Sequence, residues 1–288
     1  MLYVVILMLE EAVSPMIIRA FTTALLASII SAVIGVFIVL RRLSAIGAAT
    51  AHMGFAGAMW SFVIRVNPIL GALAFSVLQA LGTSYARTRR RGQSEAIISA
   101  AIGSSSALAA LALAFSKEYS SVAFSYLAGD VLGVSLHETI SLIFMVLIVL
   151  LIIAFFYRGL KYSSLDPETA EAAGMHTWFY EYFLGVVTAL VLVFEMRAVG
   201  MILAQVYLVA PAAAAWELTH SLENMILAAV GIGALAAVTG FFIALALNLP
   251  ISAVIGLIAA LLYIAVLLVS PKRRGLCLPA LLRRERRI

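Results

Sequence analysis

Nine apolar runs of about twenty residues follow one another along this chain of 288 residues, separated by short polar turns. They lie near 18–40, 44–64, 68–86, 94–116, 134–157, 178–196, 198–216, 223–247 and 251–270. Each suits the roughly 20 residues that a helix needs to cross a bilayer. In lipid a backbone must satisfy its own hydrogen bonds, so helix bundles and closed barrels are the available folds. No alternating pattern of the barrel type is present. The expected fold is therefore all-α, a polytopic membrane helix bundle with eight or nine transmembrane helices. The count turns on 198–216, where Gly200, Gln205 and Pro211 suggest a broken or half-spanning segment. Only 11% of the residues are charged, against about 25% in soluble domains. Such a chain cannot cover a water-facing surface.

The runs predict one transmembrane domain over 1–288, with spans from about 18 to 270 and a basic tail at 271–288. The longest polar insertion, Arg158 to Trp178, is too short for a soluble domain. No phosphate-binding loop of the GxxxxGK[ST] type occurs, so any ATP would be used by a partner. The single cysteine, Cys277, excludes an internal disulfide and any Cys-rich cluster. The opening stretch "MLYVVILMLEEAVSPMIIRAF" has no basic n-region or clear cleavage site. The first span is expected to direct insertion.

Basic residues set the expected orientation. With the N-terminus outside, fifteen of the 19 Lys and Arg fall on the inner side, among them Arg41, Arg42, Arg87, Arg158, Lys161 and the tail. Arg19, Arg65, Lys117 and Arg197 fall outside. The positive-inside rule favours this arrangement, with the C-terminus in the cytoplasm of a multi-pass cell-membrane protein. The net charge of +5 reflects these loops and the tail, and is no sign of nucleic-acid binding. The tail "LCLPALLRRERRI" is expected on inner-leaflet lipid.

The stretch "SAIGAATAHMGFAGAMW", Ser44 to Trp60, carries one titratable side chain, His52, in a run of small residues. At ~1.5 Å per residue, His52 lies roughly 12 Å along the helix, inside the hydrocarbon. An ionisable group at that depth faces the bundle interior or a cavity. Small neighbours allow close backbone approach, which also points inward. Two readings stand: a buried histidine bonded to a carbonyl, or a ligand on a transport path.

The connection "YRGLKYSSLDPETAEAAGMHTWFYEY" is acidic where the other inner loops are basic. Asp166 is a good N-cap, Pro167 suits the first helical position, and Glu168 and Glu171 complement the positive end of the dipole. Gly174 can close the helix. These signals predict about two turns over 167–173, outside the membrane core. The helix is either a plain connector or a docking element for a cytoplasmic partner. The aromatics of "TWFYEYF" suit an interfacial belt.

Five stretches, in order, resemble one family: "GVFIVLRRLSAIGAATAH", "SYLAGDVLGVS", "LKYSSLDPETAEAAGMH", "RAVGMILAQVYLVAPAAAA" and "NLPISAVIGLIAALLYI". They are similar to the membrane permease subunits of ATP-binding-cassette importers for zinc, manganese and iron. The resemblance spans about 18–270 and rests on the order and spacing of the stretches rather than on one motif. It implies a permease without enzymatic activity, working as a homodimer on a pair of cytoplasmic ATPases. An extracellular metal-binding protein would deliver a divalent metal ion as cargo, with no resident cofactor. It also implies that the loop of Asp166, Pro167, Glu168, Glu171 and Gly174 docks into the ATPase. The alternative is a gradient-driven carrier or channel without an ATPase. A membrane enzyme that binds a catalytic metal through His52, Glu217 and His220 is a further rival, and would need those residues to converge.

The resemblance also marks a departure. The family typically reads IGDxxxH in its second helix, and this chain reads "IGAATAH", with His52 matching and Ala48 in the aspartate position. Three explanations compete: another ligand replaces the carboxylate, the contact is transient with His52 of two subunits facing each other, or the cargo differs from a bare hard cation. For replacement, Glu217 and His220 in "APAAAAWELTHSLENM" are three apart and would share a helical face as an exit-side metal contact or as interfacial caps. Glu195 and Arg197 read as a solvated pair or headgroup contacts. Asp130 reads as loop or cap chemistry. His137 and His176 lie in loops or at helix ends and carry no strong signal.

Overall fold

The computed structural model describes residues 14–89, 94–115 and 120–270. The basic tail lies outside the described residues, as do Arg90, Arg91 and Lys117. Eleven helices follow in order: α1 (Pro15–Leu40), α2 (Ser44–Val63), α3 (Pro68–Arg89), α4 (Ser94–Phe115), α5 (Ser120–Ala128), α6 (Leu136–Leu165), α7 (Pro167–Ala172), α8 (Thr177–Val199), α9 (Met201–Leu218), α10 (Leu222–Leu247) and α11 (Ile251–Val269). No strand occurs among the described residues. Eight of these helices are long and apolar enough to cross a membrane. The bundle is thus all-α and polytopic, as the hydropathy pattern requires. Three helices fall outside that set: the short α5 and α7, and α2, whose Gly, Ser and His residues lower its hydropathy while its small side chains allow close packing.

Polar residues fix where several helices begin. Ser14 accepts the Ile17 amide ahead of Pro15 in α1. Ser135 and Glu138 form a reciprocal capping box on α6. Ser221 caps α10, and Asn248 closes it in the left-handed conformation. Each cap satisfies amide or carbonyl groups that a helix end leaves open.

Buried α1, α8 and α9 form the centre of the bundle. On one side α2 packs on α3, α4 and α8; on the other, α10 packs on α1 and α9, and α11 on α9 and α10. The outer helices turn large apolar side chains outward, such as Phe144, Leu151 and Phe155 on α6 and Leu268 on α11. Lipid is the solvent that such a surface fits. Close approach in the centre rests on small residues. A β-carbon added at Gly35 of α1 would fall 2.0 Å from the Leu208 carbonyl oxygen of α9. Gly35→Val is therefore expected to destabilise the bundle by about 1–3 kcal/mol through overpacking. Thermal unfolding in detergent reads this, and an unchanged midpoint would mean that α1 and α9 separate freely.

Two local readings differ from the sequence expectation. The segment around 198–216 is not broken: α9 runs continuously through Pro211. The sharp change of direction lies before it, at Gly200, whose φ of +88° a side chain would disfavour. Gly200 also packs against Gly129, where a β-carbon would meet backbone at 2.3 Å. In addition, α5 is a short helix in the stretch between the runs 94–116 and 134–157, where no helix was expected.

Candidate functional site

His52 sits in the middle of α2, half-buried, and lines a cavity of about 580 Å³ shaped by α2, α5, α9 and α11. Its Nδ1 lies 3.4 Å from the Ser106 hydroxyl of α4. Ala48, one turn earlier, lines the same cavity. The i,i+4 spacing thus brings the histidine and the alanine to one face, as expected for a helix. The other polar side chains around the cavity are Ser44, Gln205 and Tyr263, and no carboxylate or thiol lines it. Among the described residues, no three His, Cys, Asp or Glu side chains cluster to hold an ion. A neutral imidazole with hydroxyl and amide oxygens can contact a passing divalent cation, but it cannot neutralise one.

Glu217 and His220 lie elsewhere. Glu217 is in the last turn of α9, and its carboxylate accepts the Ser270 hydroxyl at 2.8 Å. His220 is exposed in the turn beyond Leu218, where α9 ends. The helix stops before it can carry both residues on one face, because Ser221 begins α10. Neither residue lines the His52 cavity.

The acidic loop forms the short helix α7. Asp166 accepts the Thr169 amide at 3.1 Å and the Thr169 hydroxyl at 2.5 Å. The hydroxyl and then the amide hold the Asp166 carboxyl below its ordinary pKa. Pro167 opens the helix, and Gly174 follows it with φ +83°. Glu168 and Glu171 are exposed. Glu171 also accepts the Thr177 hydroxyl, which ties α7 to the start of α8. Of α7, only Ala170 is buried.

Arg41 connects this helix to the rest. It follows α1, and its Nη2 donates to the Ser163 carbonyl at 3.1 Å and the Thr177 carbonyl at 3.3 Å. One guanidinium thus holds the backbone at both feet of α7. Burial pulls the Arg41 pKa down, and the Glu181 carboxylate opposes that pull. Arg87 donates to the Arg42 carbonyl at 3.3 Å. Its Nε also lies 3.3 Å from Glu181 Oε1, within ion-pair distance but not aligned as a hydrogen bond. Leu43 separates this network from the start of α2.

Glu195 and Arg197 do not form the solvated pair that their spacing suggested. Glu195 is fully buried, and its Oε2 accepts the Ser31 hydroxyl of α1 at 2.7 Å. Arg197 instead pairs with Glu138 and donates to the Tyr126 hydroxyl. Two residues apart on a helix point roughly 200° from each other, so the two side chains cannot form one solvated pair. Asp130 accepts the Gly133 amide at 3.0 Å, as a loop-stabilising aspartate does. His137 lines a second cavity, of about 470 Å³, with Glu138 and Arg197, at the end of the bundle opposite α7.

Sequence reasoning passed over Arg41, Gln205 and Tyr263 as site residues. Arg41 was visible only as one more basic loop residue. Gln205 was visible as a polar residue inside an apolar run.

The chain matches the ABC 3 transport family over residues 13–270. It is 33% identical to the manganese transport system membrane protein MntC of Listeria monocytogenes, covering 88% of this chain and 91% of that one. It is also 33% identical to the manganese import system permease protein ScaB of Streptococcus gordonii, covering 90% and 92%. Among solved structures, PsaBC from Streptococcus pneumoniae in complex with Fab matches with a TM-score of 0.83 and 30% identity, covering 95% of this chain and 99% of that one.

Proposed function

The chain belongs to the ABC 3 transport family, and from that membership we propose that it is the permease of an importer moving a divalent transition-metal ion, with energy from separate ATPase subunits. The observation that carries the coupling role is α7: a capped, exposed acidic helix whose two feet are held by Arg41. An ATPase that pushes α7 would move the ends of α6 and α8 with it. Through Arg41 the same push reaches the α1–α2 turn, and so the helix that carries His52. In this reading His52 is the intramembrane contact for the ion, and Glu217 and His220 are at most passing contacts near the exit.

The α7 end faces the cytoplasm in this proposal, with the N-terminus outside and the C-terminus inside. Support comes from Arg41, Arg42, Arg87, Arg158 and Lys161, which lie toward that end as the positive-inside bias favours. The extracellular metal-binding protein would dock at the opposite end, near the cavity of His137 and Glu138. Two copies of the chain would pair on two ATPases. Hydrolysis belongs to those partners, so the chain itself is no enzyme and holds no resident cofactor. The relatives named for manganese support a metal cargo.

Purification of the chain from native membranes in mild detergent tests this reading. An ABC-type ATPase is expected to co-purify, with its activity raised by the binding protein. A chain that purifies without any ATPase would favour a gradient-driven carrier. Within the complex, Arg41→Ala is expected to keep the ATPase bound while lowering ATP-driven uptake about tenfold, since it frees two carbonyls and a packed turn at once. Undiminished uptake would exclude Arg41 as the route of the push.

A further inference from the structure

The His52 cavity has a second polar arm on another helix. Gln205, on α9, lines the cavity together with His52 and Ala48. Its amide nitrogen is buried and has no hydrogen-bond partner among the described residues. The nitrogen is the atom turned into the packing, which leaves the carbonyl oxygen as the accessible end of the amide, and that oxygen is a neutral donor to a cation.

We propose that Gln205 is the second protein contact for the transported ion beside His52, and that this uncharged pair makes the cavity favour zinc over manganese. The inference rests on the metal-import reading above and specifies its cargo site. An imidazole suits zinc, whereas manganese depends more on carboxylate and other hard oxygen donors. Ala48 places a methyl group where a carboxylate would add negative charge, and no other carboxylate lines the cavity. The loss weakens the hold on every divalent ion, and most on the one that relies on anionic oxygen. Manganese selectivity therefore does not follow from resemblance to relatives named for that metal.

The test compares ATP-driven uptake of zinc and of manganese by proteoliposomes holding the complete complex. Wild type is set beside Gln205→Ala, Gln205→Glu and Ala48→Asp, with assembly on the ATPase as the check of folding. Wild type is expected to prefer zinc by about tenfold or more, and Gln205→Ala to lower zinc uptake by on the order of tenfold. Gln205→Glu and Ala48→Asp each add a carboxylate to the cavity and are expected to shift the ratio toward manganese. A merely structural role for Gln205 would lower both metals together and leave the ratio in place, which overturns the proposal. Preference of wild type for manganese overturns it too, as does a Gln205→Ala protein that carries zinc like wild type. In both of those cases the importer reading survives. A wild-type complex that carries neither metal, nor iron, removes that reading as well.

Discussion

His52→Ala is expected to cut metal uptake by about a hundredfold while the complex stays assembled. The imidazole is the strongest metal donor on the cavity wall, which carries no carboxylate or thiol to take over. Loss of a partner one step removed from a metal already costs about 10–100-fold in affinity or activity, and loss of a direct contact costs at least as much. The side chain is half-buried and the Ser106 hydroxyl beside it is 3.4 Å away, so its removal leaves the packing of α2 largely in place. ATP hydrolysis measured beside uptake separates the effects. Lost uptake with hydrolysis retained marks a pathway contact. Loss of assembly would instead assign His52 to the core of the bundle.

The second large effect is expected at α7. Asp166→Lys with Glu168→Lys should lower ATPase association by roughly a hundredfold, because a partner surface that docks this acidic helix, as proposed above, would then meet like charges. Asp166 contributes twice: it presents charge and it caps the helix through Thr169. Its lowered pKa fixes the sign of the pH effect. The capping contribution is complete above the ordinary aspartate range and is lost only as pH falls through the lowered value. Mild acidification should therefore leave docking intact. Asp166→Asn separates the roles, since asparagine caps well but carries no charge. Co-purification measures all three proteins, and wild-type association by the double lysine variant would remove α7 from the coupling.

Much of this was legible in the residues themselves. Apolar length set the bundle, and Asp166, Pro167 and Gly174 marked α7 almost to the residue, because caps and turns are local chemistry. The face shared by Ala48 and His52 followed from helical spacing. What depends on helices meeting was not legible. Glu195 is two residues from an arginine in sequence, yet it is buried in the bundle, where its carboxylate accepts the Ser31 hydroxyl of α1. Glu217 and His220 have the spacing of a shared face, but Ser221 starts α10 and ends that face first. Gln205 and Pro211 suggested a broken span. The helix instead continues, and the amide serves as part of a cavity wall that only α2, α5 and α11 complete.

The most direct test of the central claim is ATP-driven uptake by proteoliposomes that hold the chain, its ATPase and its binding protein, offered zinc, manganese and iron in turn. The expected result is accumulation of at least one of these ions that stops without ATP and in His52→Ala. Accumulation that continues without ATP, or no transport of any of the three while ATP is hydrolysed, would contradict an ATP-driven metal permease with His52 on its path.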